Sequence, residues 1–100
     1  MAKQNPRDPA WMPPAYVAAD VEALQALQRG DANPDQQARA LEWIVKTGAG
    51  AYELSFRSDA DGGERETAFA EGRRFVGLQI VKLLSMSGGV IAKLREKDGR

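Results

Sequence analysis

The sequence predicts an all-α protein, in which a helix hairpin is followed by an extended strap and a long third helix. Within the 100 residues, apolar positions recur at helical spacing in three separate stretches. Residue types that start and stop helices stand at the ends of these stretches. The alternating stretch Tyr52, Leu54 and Phe56 has no second convincing strand with which to pair. The observations together favour helices packed on helices.

The composition limits both size and chemistry. A chain of 100 residues makes one domain, and such a domain buries only about two-thirds of its unfolded surface. Lys and Arg number 14 and Asp and Glu number 14, so bulk charge favours neither nucleic acid nor an anionic membrane. The chain has no His and no Cys, which removes disulfides and the usual zinc and iron ligand sets. We therefore expect no metal and no cofactor.

The first two helices have clear boundaries. Helix one is predicted from Ala18 to Arg29, with Gly30 as the left-handed residue after its end. Helix two is predicted from the cap Asn33, followed by Pro34 and ending at Gly48. The capping residue Gln36 stands three positions after Asn33. Because the link between the helices is short, they should pack as an antiparallel hairpin.

The third helix is the longest element. It is predicted to start between Gly63 and Arg65, after an extended strap over residues 48–63, and to end at a break over residues 85–89. Its apolar face is unusually wide, so the strap, the N-terminal arm or another copy should cover its second side. The main face comprises Phe69, Gly72, Val76, Ile80 and Leu83, widened by Phe75, Leu78 and Val81. Burial is expected for Leu24, Leu27, Leu41, Ile44, Phe69, Val76, Ile80 and Leu83.

The sequence predicts a helical domain flanked by an N-terminal arm and a C-terminal tail. Residues 1–17 form a Pro-rich arm, residues 18–87 a helical domain, and residues 88–100 a short amphipathic turn with a mobile charged tail. Two arrangements of the arm are open. Trp11 and Tyr16 either fold back on their own domain as a lid or anchor in a neighbouring subunit. Either arrangement makes the arm an interaction element.

The sharpest local motif is the string GRRF, from Gly72 to Phe75. Glycine in a helix interior costs about 1 kcal/mol relative to alanine, which indicates close approach by another backbone. Arg73 and Arg74 either clamp a phosphate or partner carboxylate, or pair with nearby glutamates of the same helix. The predicted partner-binding residues are Trp11, Tyr16, Arg73, Arg74, Phe75 and Leu78.

Catalysis has weak support in the sequence. Without histidine, a hydrolase would need a concave pocket holding two of the carboxylates Glu42, Glu53, Glu66 and Glu71. None of the carboxylates lies inside an apolar run that would raise its pKa by burial. We therefore expect no enzyme, no catalytic residues and no small-molecule substrate.

Membrane insertion and secretion are also not expected. Gly72, Arg73, Arg74, Gln79 and Lys82 interrupt the best apolar segment well short of the roughly 20 residues of a membrane span. The first sixteen residues lack the apolar run of a secretory signal, so we expect a protein that stays inside the cell that makes it.

Two strings resemble a known group of proteins. GDANPDQQARALEWIVKTGAGAYELSF and RETAFAEGRRFVGLQIVKLL are similar to a family of short, mostly uncharacterised proteins of tailed bacteriophages and prophages, often encoded near virion genes. The resemblance covers residues 21–84 and is strongest at Phe69, Gly72, Arg73, Arg74, Val76 and Ile80. It implies a phage structural or assembly accessory protein in the virion or host cytoplasm, bound to itself or to another phage protein. It brings no catalytic residues. The alternative is a small phage-encoded regulator that binds a host protein or DNA.

Overall fold

The computed structural model describes residues 9–99, and within that range the fold is all-α, as the sequence predicts. Four α-helices follow one another along the chain, with two short helical turns between the second and third. The α-helices are α1 (Ala18–Arg29), α2 (Pro34–Glu42), α3 (Gly63–Leu84) and α4 (Gly88–Lys97). A π-helical turn, Trp43–Gly48, extends α2, and a 3-10 turn, Asp59–Asp61, precedes α3. No strand occurs between residues 9 and 99.

The α1–α2 hairpin forms as predicted. Gly30 adopts a left-handed φ of 80°, which reverses the chain after α1 and lets its N–H donate to the Leu27 carbonyl at 3.1 Å. At the start of α2, Asn33 and Gln36 exchange hydrogen bonds of 2.8 and 3.0 Å between side chain and backbone. The reciprocal bonds confirm the predicted capping box, and the two helices pack against each other.

A buried carboxylate joins the two helices of the hairpin. Asp20 accepts a hydrogen bond from the Val17 N–H at 3.0 Å, which satisfies a free donor at the start of α1. Its other oxygen accepts from Arg39 Nε of α2 at 2.9 Å. One side chain therefore both begins α1 and holds α2 in place.

The core consists of small residues. The buried apolar residues of the described chain are Val45 and seven alanines, namely Ala10, Ala23, Ala26, Ala40, Ala49, Ala51 and Ala70. The prediction that large apolar side chains fill the core is wrong for five positions, which are 40% to 64% exposed. These are Leu27, Leu41, Phe69, Val76 and Leu83. Leu24, Ile44 and Ile80 are only half-buried. Alanine contacts bring helix axes close together and leave longer side chains at the edges of the contact.

The rotation of α3 explains the exposure of its predicted face. Its buried residues are Gly63, Ala70 and Gly77, spaced by seven. At Gly77 a Cβ would lie 2.8 Å from the Ala51 Cβ and 2.9 Å from the Ala49 Cβ, so only glycine admits this approach. At Gly72, by contrast, no described atom outside the local helix would come within 4 Å of such a Cβ. The close approach expected at Gly72 is therefore found at Gly77 instead.

The strap between the π-helical turn and α3 is held by polar groups. Arg57, which is buried, donates from Nη1 to the carbonyls of Leu54, Ser55 and Phe56 at 2.9 to 3.2 Å. Its backbone N–H donates to Thr67 Oγ1 of α3 at 2.8 Å. The segment is an extended strap, as predicted, its alternating side chains face solvent, and it forms no β-bridge to residues 9–17. These side chains are Tyr52, Leu54 and Phe56.

The C-terminal quarter extends away from the remaining helices. Ser87 begins α4 by accepting from the Val90 N–H at 3.3 Å, so the predicted short turn is a helix of ten residues. All residues of α4 are exposed, and α4 is bent by 96° relative to α3. The radius of gyration is 16.7 Å, against about 13 Å for a compact domain of this length. The molecule is therefore elongated, and α4 buries little surface.

Candidate interaction surface

The described part of the N-terminal arm, residues 9–17, folds back on its own chain. The Ala10 N–H donates to Glu66 Oε1 at 2.7 Å, and the Ala10 carbonyl accepts from Arg73 Nη1 at 3.5 Å. Further along, Trp43 Nε1 donates to the Ala15 carbonyl at 3.0 Å. The first of the two expected arrangements therefore holds for the backbone of residues 9–17. Residues 1–8 of the arm lie outside the described range.

The aromatic side chains of the arm are exposed, although its backbone is hydrogen-bonded to α3 and to Trp43. Trp11 is 63% exposed and Tyr16 is 66% exposed. Trp11 lies beside an open cleft of about 640 Å³ at the N-terminal end of α3, which also includes Phe69. The cleft is lined by Pro9, Trp11, Ala60, Gly62, Arg65, Glu66 and Phe69. Both predicted partner-binding aromatics thus remain accessible at the surface.

The cleft contains one of the four carboxylates named for a hydrolase. Glu66 lines it, and its Oε1 already accepts the hydrogen bond from the arm at Ala10. Glu53 pairs with Arg73 at 2.9 Å, and Glu42 lies 3.7 Å from Lys46 on the same helix. The described residues therefore do not bring two of these carboxylates together in this cleft.

The two arginines of the GRRF motif occupy different environments. The guanidinium of Arg73 is 19% exposed and contacts Glu53 of the strap and Ala10 of the arm. Gly50, at a φ of +63°, makes room for it, because a Cβ there would lie 2.6 Å from Arg73 Nη2. Arg74 instead pairs with Glu71 of its own helix at 3.5 Å. Arg73 therefore joins three segments of its own chain, whereas Arg74 stays at the surface of α3.

The outer face of α3 is apolar and uncovered by the described chain. We use this name for Phe69, Gly72, Phe75, Val76 and Leu83, which lie on the side of α3 turned away from Gly77. Phe69, Gly72 and Val76 follow one another at spacings of three and four, and Leu83 lies two turns further along. Each of the four large side chains is at least half exposed. Leu78 borders this face and is half-buried. Exposed apolar side chains grouped on one helix face, here on both sides of the exposed Gln79, are typical of a surface that binds another protein.

The apolar surface continues onto α4. Val90, Ile91 and Leu94 recur at helical spacing there, and each is 40% to 44% exposed. No single helix in residues 9–99 is both long and apolar enough to cross a membrane, although α3 and α4 taken together reach that length and composition across their 96° bend.

Comparison with known proteins adds no relative. No protein-family model matches the sequence. No curated protein and no solved structure matches it either. The interaction surface must therefore be interpreted from its own residues, and the resemblance to phage proteins stays a prediction.

Sequence reasoning missed the packing roles of three residues. Gly77 decides which side of α3 faces the chain, Asp20 binds α2 through Arg39, and Arg57 holds the strap. A signal for the first was available, since the small residues Gly63, Ala70 and Gly77 recur every seven positions. Asp20 has a local role at the start of α1, where it accepts the Val17 N–H, but its bond to Arg39 is long-range, and nothing local marks the burial of Arg57.

Proposed function

We propose that this protein is a phage structural or assembly accessory protein that works through protein–protein contacts on the outer face of α3, without catalysing a reaction. The observation that carries this proposal is the distribution of apolar side chains. Among residues 9–99 the core is built from alanine and one valine, while sixteen large apolar side chains are exposed. Full burial of a Leu or Phe side chain contributes about 1.5–3 kcal/mol, so a partner gains most by covering these residues.

Of the residues predicted to bind a partner, the proposal uses those whose side chains are accessible on or beside the outer face of α3. Phe75 is accessible at the centre of the outer face, with Leu78 at its border. Trp11 adds an accessible aromatic ring near Phe69. The Arg73 guanidinium is engaged within the chain, so its part in the proposal is to hold the arm and strap beside α3. Aromatic anchors of this type dominate binding energy at protein interfaces.

The phage setting rests on the sequence resemblance over residues 21–84. It is tested by placing Phe75→Asp in the native genome and measuring both the yield of infectious particles and the amount of the protein in purified particles. We expect both quantities to fall. The matched control is Tyr52→Asp, which places the same charge on an exposed aromatic of the strap. Unchanged yield and unchanged incorporation with Phe75→Asp would contradict the proposal.

A regulator that binds a host protein or DNA is the second candidate. The observation in its favour is the group of exposed cations on α4, Lys93, Arg95 and Lys97. Binding of DNA through these groups would weaken steeply with salt, because cations on the protein release counterions from phosphate. A mobility shift that is lost on replacing the three cations with glutamine would favour this candidate over assembly.

A further inference from the structure

We propose that the outer face of α3 binds a second copy of this chain, with the two α3 helices antiparallel about a two-fold axis that crosses this face level with the Val76–Gly77 peptide bond. This inference rests on the proposed function in using the same face, and it adds the identity and orientation of the partner. A two-fold contact requires a surface that is complementary to itself. Three features of α3 and its flanks meet that requirement.

The first feature is the charge distribution along the second half of the chain. Residues 59–71 carry five carboxylates and one arginine, whereas residues 82–97 carry four cations and one carboxylate. An antiparallel pair places the acidic end of each copy beside the basic end of the other. A parallel pair would place like charges together, which is unfavourable. The whole chain has no net charge, so this polarity is available for self-recognition without overall repulsion.

The second feature is the pair Glu71 and Lys82, which an axis level with the Val76–Gly77 peptide bond brings together. At that register Glu71 of one copy is level with Lys82 of the other. The two residues are eleven apart, which is about three helical turns, so they lie on the same flank of α3. In an antiparallel two-fold pair, identical flanks of the two helices meet. The arrangement therefore brings Lys82 beside Glu71 twice, at the edges of the apolar contact, where Glu71 also contacts Arg74 and Ser55 of its own chain.

The third feature is the open space at Gly72. Alanine has a higher helix propensity than glycine, and within the described chain nothing would obstruct its methyl group at this position. A second helix packed on the outer face uses that space, because a glycine lets two backbones approach closely. Gly77 permits such a close approach within the chain, where Ala49 and Ala51 occupy the space next to it.

The exposed apolar area is close to what a dimer needs. On α3 and α4 seven large apolar side chains that lie away from the Gly77 side of α3 are at least 40% exposed, and together they present on the order of 600 Å² of apolar surface. A standard interface buries about 800 Å² on each partner. At the proposed register, Phe69 is level with Leu83 and Leu84 of the second copy, whose α4 then begins beside the cleft that Trp11 lines. The seven residues are Phe69, Phe75, Val76, Leu83, Val90, Ile91 and Leu94.

The first test is the mass of the purified full-length chain in solution, measured by size-exclusion chromatography with light scattering. We expect a species of twice the 10.9 kDa chain mass. Phe75→Asp should raise the dissociation constant at least tenfold, because each dimer contains the substitution twice. Tyr52→Asp, on the exposed strap, should leave the mass unchanged. A wild-type chain that stays monomeric at high micromolar concentration overturns the inference.

The orientation of the two helices is tested by disulfide cross-linking. Because the sequence contains no cysteine, every disulfide must come from the introduced residues. Phe69→Cys and Leu83→Cys variants, at exposed positions, are mixed under reducing conditions and then oxidised. We expect a disulfide between the two different variants and little cross-linking of either variant alone. Efficient cross-linking of each variant with itself, and none between them, indicates parallel helices and overturns the proposal.

The two proposals fail in different ways. A monomeric chain whose incorporation into particles still depends on Phe75 removes the dimer and leaves the proposed function in place. A dimer with the expected cross-links, but with normal particle yield and composition for Phe75→Asp, removes the proposed function and leaves the dimer.

Discussion

Replacing Gly77 with alanine tests the contact that orients α3. The new Cβ would lie 2.8 Å from the Ala51 Cβ and 2.9 Å from the Ala49 Cβ. Carbon atoms pack at about 3.5–4.0 Å, so α3 must move away from the π-helical turn by roughly 0.5 Å or more. Both obstructing atoms are alanine methyl groups, which have no rotamer to change. The substitution therefore forces movement of the backbone.

The expected effect combines two opposing contributions. Overpacking in a well-packed site costs about 1–3 kcal/mol. Alanine in a helix interior is favoured over glycine by about 0.8–1 kcal/mol, which offsets part of that cost. Gly72→Ala, in the same helix, has the favourable contribution without the clash. We expect Gly72→Ala to raise the free energy of unfolding. The free energy of unfolding of Gly77→Ala should be about 1–3 kcal/mol lower than that of Gly72→Ala.

The measurement is urea unfolding followed by circular dichroism at equal protein concentrations. Both variants are made in the Phe75→Asp background, so that association through the outer face of α3 does not enter the comparison. Ala51→Gly added to Gly77→Ala should recover part of the loss, because it removes one of the two methyl groups in the way. If Gly77→Ala stabilises the protein as much as Gly72→Ala does, the described packing of α3 is wrong.

Two further substitutions test the polar contacts by the same unfolding assay. Asp20→Ala removes the acceptor for both the Val17 N–H and Arg39 Nε. We expect the free energy of unfolding to fall by about 1–3 kcal/mol. A fall of less than about 0.5 kcal/mol would show that this carboxylate does not hold the hairpin. Gly50→Ala should cost more than Gly30→Ala. Both glycines have positive φ, but only the methyl group at position 50 displaces the guanidinium of Arg73 from Glu53, so equal losses would show that this ion pair does not stabilise the protein.

The positions of the helix ends were predictable because their causes are local. Gly30 supplies a left-handed φ, and Asn33 and Gln36 satisfy the free N–H groups of the next helix within four residues. The interaction surface was partly predictable in the same way. The spacing of Phe69, Phe75 and Val76 identified an apolar stripe too wide for a short chain, but it placed Phe69 and Val76 in the core, whereas both are at least half exposed together with Phe75.

The sequence by itself determined the all-α class, the bounds of α1, the start of α2 and the approximate span of α3, since these depend on residues a few positions apart. Only the tertiary structure decided which side of α3 faces the chain. Hydrophobic periodicity favoured the stripe through Phe69 and Val76, but packing followed the small residues, because Gly77 alone lets Ala49 and Ala51 come so near the helix. The partners of Arg73 and Asp20 were decided in the same way, by segments about 20 or more residues distant that pattern and propensity do not connect.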